Sequence, residues 1–357
     1  MSLWADVIMT KFRMSAEWEE QEAIILSWPH NQGTWTKDQL PIVEQTYCAI
    51  ISEITEHQKV WLNVRHEEEK RRASDLLRFG AANSDNLVFH INPTHDVWVR
   101  DYGPLFVLCD KKEARHIAKF TFNGWGNKYE EDFLKDNETP YFYAKYTHTN
   151  VVEAKHVLEG GSIDVNGQGV LLTSTDCLLN ENREHALEQK SVEEILKQYL
   201  GVKKVIWTSG QIKGDDTDGH IDDAARFVSS NHIICISEEN KEDENYKGIE
   251  QLKESLQNIT DAEGKAIQIT FVPMPDPVYY QEQRLPASYA NFLITNKKVL
   301  VPIYNCDKDG VALDIISNCF PDRQTIGIDC TALVQGFGSI HCISMHAPKC
   351  RSSKVPE

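Results

Sequence analysis

The sequence predicts an α/β fold of five similar units, packed radially in the manner of propeller blades. Three observations predict it. A polar, turn-rich stretch followed by an apolar run, a tight turn and a second apolar run recurs along the chain from residue 101 onward. Helical segments separate these hairpins. The anchor positions Asp101, Glu159, His220, Asn291 and Cys342 lie 58, 61, 71 and 51 residues apart, a loose period of the kind that marks repeat architectures. The expectation is one domain over residues 12–348, flanked by termini at 1–11 and 349–357, with a pseudo-fivefold repeat of ααβ/ββαβ-type units, each a helix plus three strands.

Each element has its own signal. Residues 23–28 form a short apolar run ended by Pro29 and read as a buried strand. Ile42, Ile50, Ile51 and Ile54 keep helical spacing over 41–57. Residues 60–64 are the next strand, 66–79 a charged helix stopped by Gly80, and 87–91 another strand. The hairpins follow at 105–109 with 116–122, at 163–165 with 170–173 around Asn166-Gly-Gln-Gly169, at 226–228 with 233–237, and at 292–295 with 299–303. Helices are expected at 184–200, 246–258 and 311–320. Residues 110–150 are rich in polar and aromatic groups and, beyond the hairpin return, read as a long loop near the site. Residues 338–342 read as the start of a last strand, and the tail after Pro348 as a fraying end.

The net charge of −17 argues against nucleic acid as a partner, because phosphate binding needs a basic face. It suits a cationic substrate drawn in by the long-range field, or simply a solvated acidic surface. The nine cysteines (48, 109, 177, 235, 306, 319, 330, 342 and 350) are odd in number and form no close CxxC pair. No basic-then-apolar leader stands at the start, and no apolar run is long enough to span a membrane. A cytoplasmic protein with reduced thiols is expected.

The densest chemistry lies in Asp215-Asp-Thr-Asp-Gly-His-Ile-Asp-Asp223, where five of nine residues are carboxylates. Such crowding needs positive charge between the acids: a metal ion, a cationic substrate or bulk counterions. Asp101, Glu159, His220 with Asp222, and Cys342 each stand where an apolar strand meets a turn, and a radial repeat would bring those turns together. A Cys342 thiolate can attack, His220 can move protons near neutral pH, and Asp101 and Asp222 can hold a planar cation. Two carboxylates at about 4 Å, each contributing roughly 4 kcal/mol at an effective dielectric of 20, would offset the burial of a guanidinium. Attack on a guanidinium carbon is the chemistry this set suits.

At these residues the chain resembles the agmatine deiminase and Porphyromonas-type peptidyl-arginine deiminase family of the guanidino-group-modifying superfamily. The resemblance rests on Phe12-Arg-Met-Ser-Ala-Glu-Trp18, Leu26-Ser-Trp-Pro29, Asp96-Val-Trp-Val-Arg-Asp-Tyr-Gly-Pro104, Glu159-Gly-Gly-Ser-Ile163, Leu178-Leu-Asn180, Asp216-Thr-Asp-Gly-His-Ile-Asp222, Asn291-Phe292 and Ser339-Ile-His-Cys342. It implies a five-bladed αβ propeller, the pentein fold, working without a metal or an organic cofactor. It implies Cys342 as nucleophile, His220 as general acid and base, Glu159 as support for His220, and Asp101 and Asp222 as guanidinium ligands. The partner it implies is a small cationic guanidine, with a homodimer allowed. The implied product is a ureido compound, N-carbamoylputrescine in the case of agmatine.

Two stretches depart from the usual family pattern. Gly336-Phe-Gly-Ser339 stands where the nearest members show Gly-Gly-Gly-Asn, and Met14-Ser-Ala-Glu-Trp18 where they show Met-Pro-Ala-Glu-Trp. These put the substrate subgroup, not the reaction, in question. Trp98, Arg100 and Asp218 are further candidates for substrate contact. Trp98 could equally be core, Arg100 could tie carboxylates together, and Asp218 could serve the Gly219 turn. Asp215, Asp216 and Asp223 read as solvated or capping acids. His220 and Asp222, two apart, would share a face of an extended strand, and His341 would point the opposite way from Cys342. Cys109, Cys177 and Cys235 read as small core residues. A zinc face at Cys342, His346 and Cys350 conflicts with the strand-like run there, and the acidic cluster lacks the spacing of a calcium loop. Peptidyl-arginine or free arginine as substrate, amidino transfer, amide hydrolysis by a Cys–His pair, and non-enzymatic binding of cationic peptides remain as alternatives.

Overall fold

In the computed structural model, residues 12–80, 82–109, 114–130, 133–183 and 188–350 are described. The expected termini at 1–11 and after Cys350, and the first residues of the helix expected from 184, lie outside them. Apolar side chains from Phe12 to Ala347 form one continuous buried core. Among the described residues no helix is long and apolar enough to cross a membrane.

Five sheets share one plan: an antiparallel pair, then a parallel strand reached through a helix. Leu105–Cys109 pairs with Ala114–Thr121, and Leu134–Tyr146 leads to the parallel strand Asn150–Val157. Ile163–Val165 pairs with Val170–Ser174, and Gln189–Leu200 leads to Lys204–Thr208. Ala225–Ser229 pairs with His232–Ser237, and Tyr246–Ser255 leads to Gln268–Pro273. Leu293–Ile294 pairs with Lys298–Ile303, and Lys308–Cys319 leads to Gln324–Asp329. The fifth sheet is built from both ends of the chain. Ser344–Pro348 lies antiparallel to Gln21–Ser27, from which Leu40–Thr55 leads to Lys59–Val64 and Glu67–Phe79 to Leu87–Ile91. Phe12–Met14 adds an edge strand to the first sheet, and a small ribbon pairs Tyr279–Tyr280 with Gln283–Arg284.

Parallel pairing explains the helices, because a parallel neighbour cannot be reached by a tight turn and needs a crossover. The 189–200 helix buries Val192, Leu196 and Leu200, four apart, and stops at Gly201, whose φ of 72° is the left-handed value a helix stop requires. The Asn166–Gly169 turn sits between the paired strands as the Asn-Gly signal expects, with Asn166 Oδ1 accepting from Val170 N at 2.9 Å.

Three expectations need correction. Residues 110–150 are not mostly loop: Leu134–Tyr146 is helical. Pro140 inside it, and apolar residues spread around its circumference, hid the periodicity. Residues 338–342 do not start a strand, which begins only at Ser344 after a turn holding Cys342. His220 and Asp222 are not on an extended strand: Ile221–Asp223 is a single 3-10 turn. Comparable short turns precede the first strand of other sheets, at Val99–Tyr102 and Gly160–Ser162, and these turns pack against one another.

Beneath them lies Glu17, buried at 4% exposure. Its Oε2 accepts from Arg100 Nη2 at 3.1 Å and His341 Nε2 at 2.9 Å, and pairs with Arg226 Nη2 at 3.3 Å. Its Oε1 accepts from Ile294 N at 2.8 Å. Arg226 continues to Asp164 Oδ2 at 3.2 Å and Phe292 O at 2.9 Å. Each of the five sheets, or the turn before it, contributes a member. Burial works to raise the Glu17 carboxyl, but Arg226, His341 and Arg100 together hold it well below the usual carboxylate range. Its contribution to stability is therefore complete above pH 4.5 and is lost as pH falls below it. Glu17→Gln leaves two buried guanidiniums short of an anion and is expected to cost about 3–5 kcal/mol. Urea unfolding at pH 7 measures this, and the difference from wild type should shrink in acid.

Candidate active site

The site forms where these turns meet. Asp101, on the turn Val99–Tyr102, accepts from Trp125 Nε1 at 2.9 Å through Oδ2 and from Gly161 N at 3.0 Å through Oδ1. Burial pushes its carboxyl up to about 6, against the pull of His220 and with a further push from Asp222. Asp222 Oδ2 accepts from His341 Nδ1 at 2.7 Å, which outweighs burial and keeps the carboxyl below its ordinary value. Its other oxygen, Oδ1, is buried without a hydrogen-bond partner. His341 therefore spans two carboxylates, Asp222 and Glu17.

His220 is the N-cap of the 221–223 turn and is 2% exposed. Its Nδ1 stands 3.7 Å from Asp101 Oδ1 and its Nε2 3.9 Å from Glu159 Oε2, ion-pair rather than hydrogen-bond distances. Burial opposes charge on this ring, but Asp101, Cys177 and Glu159 outweigh it and raise it well above the ordinary histidine value. Cys177, expected as plain core, is buried as expected and lies beside both His220 and Glu159. Glu159 is fully buried, and Arg183 Nε donates to its Oε1 at 2.9 Å. Burial is overcome there by His220 and Arg183, so Glu159 stays ionised.

Cys342 Sγ lies 3.8 Å from Asp222 Oδ2 and accepts from Asn291 Nδ2 at 3.0 Å. Burial, then Asp222, Asp223 and Asp101, push its thiol well above the ordinary value. Gly161 keeps the centre open. A Cβ there would lie 2.7 Å from Asp101 Oδ1 and His220 Nδ1 and 3.2 Å from Asp222 Oδ2. Two carboxylates suited to a planar cation, with His220 beside them, thus face one small space that only glycine leaves empty. Gly338 performs a similar service, since a Cβ would lie 2.5 Å from the Trp98 ring and 3.0 Å from Cys342 Cβ.

The cavity leading there is walled by Trp98, Trp125, Phe133 and Phe337, with Asp96 and Asp216 also lining it. Trp98 is thus a wall residue, packed 5.6 Å from Trp35. Phe337 holds a left-handed φ of 72°, at the position where the family pattern carries glycine. Arg100 does not line the cavity; it turns to Glu17 and the His341 carbonyl. Asp218 does not line it either, and binds Lys128, Asn182 and Arg183. Asp215 caps its own turn, accepting from Thr217 N at 2.7 Å and Gly219 N at 2.8 Å. Asp223 departs from the solvated reading. It is 4% exposed, accepts from Asn291 Nδ2 at 2.8 Å, and is pushed well up by burial, Asp222 and Asp215. The 3-10 turn rotates it inward, where an extended chain would have sent it out.

Residues 13–348 match the family model for the Porphyromonas-type peptidyl-arginine deiminases. The chain belongs to that family. It is 34% identical to a solved C. jejuni agmatine deiminase, a cysteine-to-serine variant with substrate bound, over 96% of this chain and 97% of that one, at a TM-score of 0.86. A solved agmatine deiminase of Enterococcus faecalis is 28% identical over 95% and 96% of the two chains, at 0.87. An amidinotransferase from Microseira wollei, 11% identical over 96% and 98%, shares the fold at 0.52. The family makes this chain a hydrolase of amidine carbon–nitrogen bonds.

Of the residues named from sequence, the structure gathers Asp101, Glu159, His220, Asp222 and Cys342, and adds Trp98 as a wall. Arg183 and Trp125 had no role assigned beforehand, Glu17 entered only as part of a motif, Asn291 as a motif residue and a repeat anchor, and Asp223 as a solvated or capping acid. Gly161→Ala fills the central space. A loss of guanidine turnover of about a hundredfold or more is expected, with the melting temperature little changed. Ammonia release and a thermal melt measure the two.

Proposed function

We propose that the protein is a cytoplasmic agmatine deiminase acting through Cys342, with residues 12–348 as one catalytic domain. The convergence of Asp101, Asp222, His220 and Cys342 on the space above Gly161 carries the reading. We infer further that the five sheets stand as blades around a common axis. Their shared strand plan and their joint contact with the Glu17 cluster support this.

Asp101 and Asp222 hold the guanidinium, and its positive charge offsets the acids that keep Cys342 protonated, so the thiol gives up its proton to solvent through the cavity it lines. The thiolate attacks the guanidinium carbon, forming a carbon–sulfur bond. The carbon–nitrogen bond to one terminal amine breaks, and His220, charged through Asp101, Cys177 and Glu159, gives that nitrogen its proton. Ammonia leaves and a thiouronium remains. His220, now neutral, takes a proton from water as the oxygen bonds to carbon; the carbon–sulfur bond then breaks, and the remaining hydroxyl proton returns to the departing Cys342 sulfur. The ureido product is N-carbamoylputrescine. Glu159, fixed by Arg183, keeps Nδ1 of His220 aimed at the reacting centre.

Agmatine is favoured over arginine by the cavity wall. Among the described residues no Lys or Arg lines it, so an α-carboxylate has no cationic partner, whereas aromatic rings flank an alkyl chain and Asp96 and Asp216 face an ammonium. The expected kcat/KM for agmatine exceeds that for arginine or a blocked arginyl peptide by roughly a hundredfold. A preference for the peptide would assign the chain to the peptidyl subgroup. No ammonia from any of the three, or product only in the presence of an acceptor amine, would overturn the hydrolytic reading.

The acid limb of kcat/KM is expected near pH 6, where Asp101 loses its proton in the free enzyme. Asp101→Asn should remove that limb together with most of the activity. A non-reacting guanidine should lower the pH midpoint of Cys342 alkylation, because it neutralises the carboxylates that push the thiol up. Iodoacetamide titration with and without the ligand, corrected for access, reads the shift; a rise would count against this account.

A further inference from the structure

Glu159, Cys177 and His220 make a second cluster of donors, on the side of the His220 ring away from Asp101. A carboxylate oxygen, a sulfur and a ring nitrogen lie within 4.8 Å of one another, and all three residues are buried. Nδ1 of His220 faces Asp101, so the nitrogen turned to this cluster is Nε2, 3.9 Å from Glu159 Oε2. Both of these atoms are sealed from water and neither has a hydrogen-bond partner. Arg183 takes only the other oxygen, Oε1, and its own charge is shared with Asp218.

Carboxylate, imidazole and thiolate together are a ligand set for a thiophilic divalent cation. With metal–ligand bonds of about 2.0–2.3 Å at tetrahedral angles, neighbouring donors stand roughly 3.3–3.6 Å apart. The observed 3.9 Å needs a contraction of about half an ångström. The carboxylate and the thiolate would neutralise a doubly charged ion, so its burial leaves no net charge. His220 also lines the cavity, which gives the ion a route inward. Asp222, Asp223 and Cys342 lie as close together, but they lack an imidazole. Asp222 Oδ2, Asp223 Oδ1 and Cys342 Sγ also already accept hydrogen bonds.

We propose that Glu159, Cys177 and His220 form an inhibitory site for a thiophilic divalent cation of the zinc type, held by Oε2, Sγ and Nε2 with water as fourth ligand. Binding forms three metal–ligand bonds and releases the Nε2 proton and the Cys177 thiol proton to solvent. The ring can then give up its Nδ1 proton only by becoming a metal-bound imidazolate, so His220 no longer serves as acid and base. The space above Gly161 stays open, so kcat falls while KM changes little. The loss of turnover rests on the deiminase reading; the binding of the ion does not.

Cobalt(II) is the optical probe and zinc(II) the inhibitor, each added to the whole chain after chelation and dialysis. Cys342→Ser removes the reactive thiol and should still bind one cobalt per chain with a thiolate-to-cobalt charge-transfer band. Adding Cys177→Ser should abolish the band. His220→Ala in the Cys342→Ser background tests the site independently and should weaken cobalt binding at least the roughly tenfold that even a supporting residue commands. Thermal melts without metal show that each variant is folded. In the wild type, zinc(II) should lower kcat reversibly, with chelator restoring it and KM little changed. A band that vanishes in Cys342→Ser places the ion at the reactive cysteine and overturns the proposal. So does a band that survives Cys177→Ser, an affinity unchanged in His220→Ala, or zinc inhibition that raises KM and spares kcat. If the wild type releases no ammonia from agmatine yet Cys342→Ser binds cobalt through Cys177, the reading of the reaction fails and the metal site stands.

Discussion

The buried carboxylate of Glu17 is the constraint on which the rest of the structure depends. One oxygen gathers Arg100, Arg226 and His341, and the other ties down the backbone at Ile294. Removing such a charge from water costs several kcal/mol, and the cost is met only if all the partners arrive. Those partners come from the turns and first strands of separate sheets. Satisfying Glu17 and setting the sheets against one another are therefore the same event. His341 passes the order on, since the ring that reaches Glu17 through Nε2 also fixes Asp222 through Nδ1.

Above this cluster the balance of charge reverses. Arginines compensate the acids below, while Asp101, Asp222 and Asp223 crowd the sulfur, with His220 beside Asp101 and His341 on Asp222. The consequences pull in opposite directions: Asp101 and Cys342 are driven toward their protonated forms, and His220 toward its charged one. A cation entering the space above Gly161 relieves all the acids together. The site thus carries an excess of buried negative charge around the sulfur.

The sequence revealed the architecture where local rules act. The Asn166–Gly169 hairpin, the Gly201 helix stop and the recurrence of strand pairs all follow from turn chemistry and apolar patterning, and the structure agrees with each. The reactive set of Asp101, Glu159, His220, Asp222 and Cys342 was visible because each stands at the same place in a repeating unit. Other features were hidden because they depend on distant partners. Asp223 looked like one more solvated acid until the 3-10 turn rotated it inward. Arg183 gains its meaning only from Glu159 and Asp218, and Asn291 only from a turn fifty residues later. The 134–146 helix lacked a clean apolar stripe, and its Pro140 argued the wrong way.

The fifth sheet carries a consequence for how the molecule is made. Its central strand, Gln21–Ser27, lies between Lys59–Val64 and Ser344–Pro348, so this strand must wait for a partner made about three hundred residues later. Until then one side of that strand is an open edge, a template for pairing with another nascent chain. The strands of the other four sheets all precede this seam strand, since the last of them ends at Asp329. The residues that close it directly follow the turn that bears Cys342. A chain that stops short of this turn therefore lacks both its seam and Cys342.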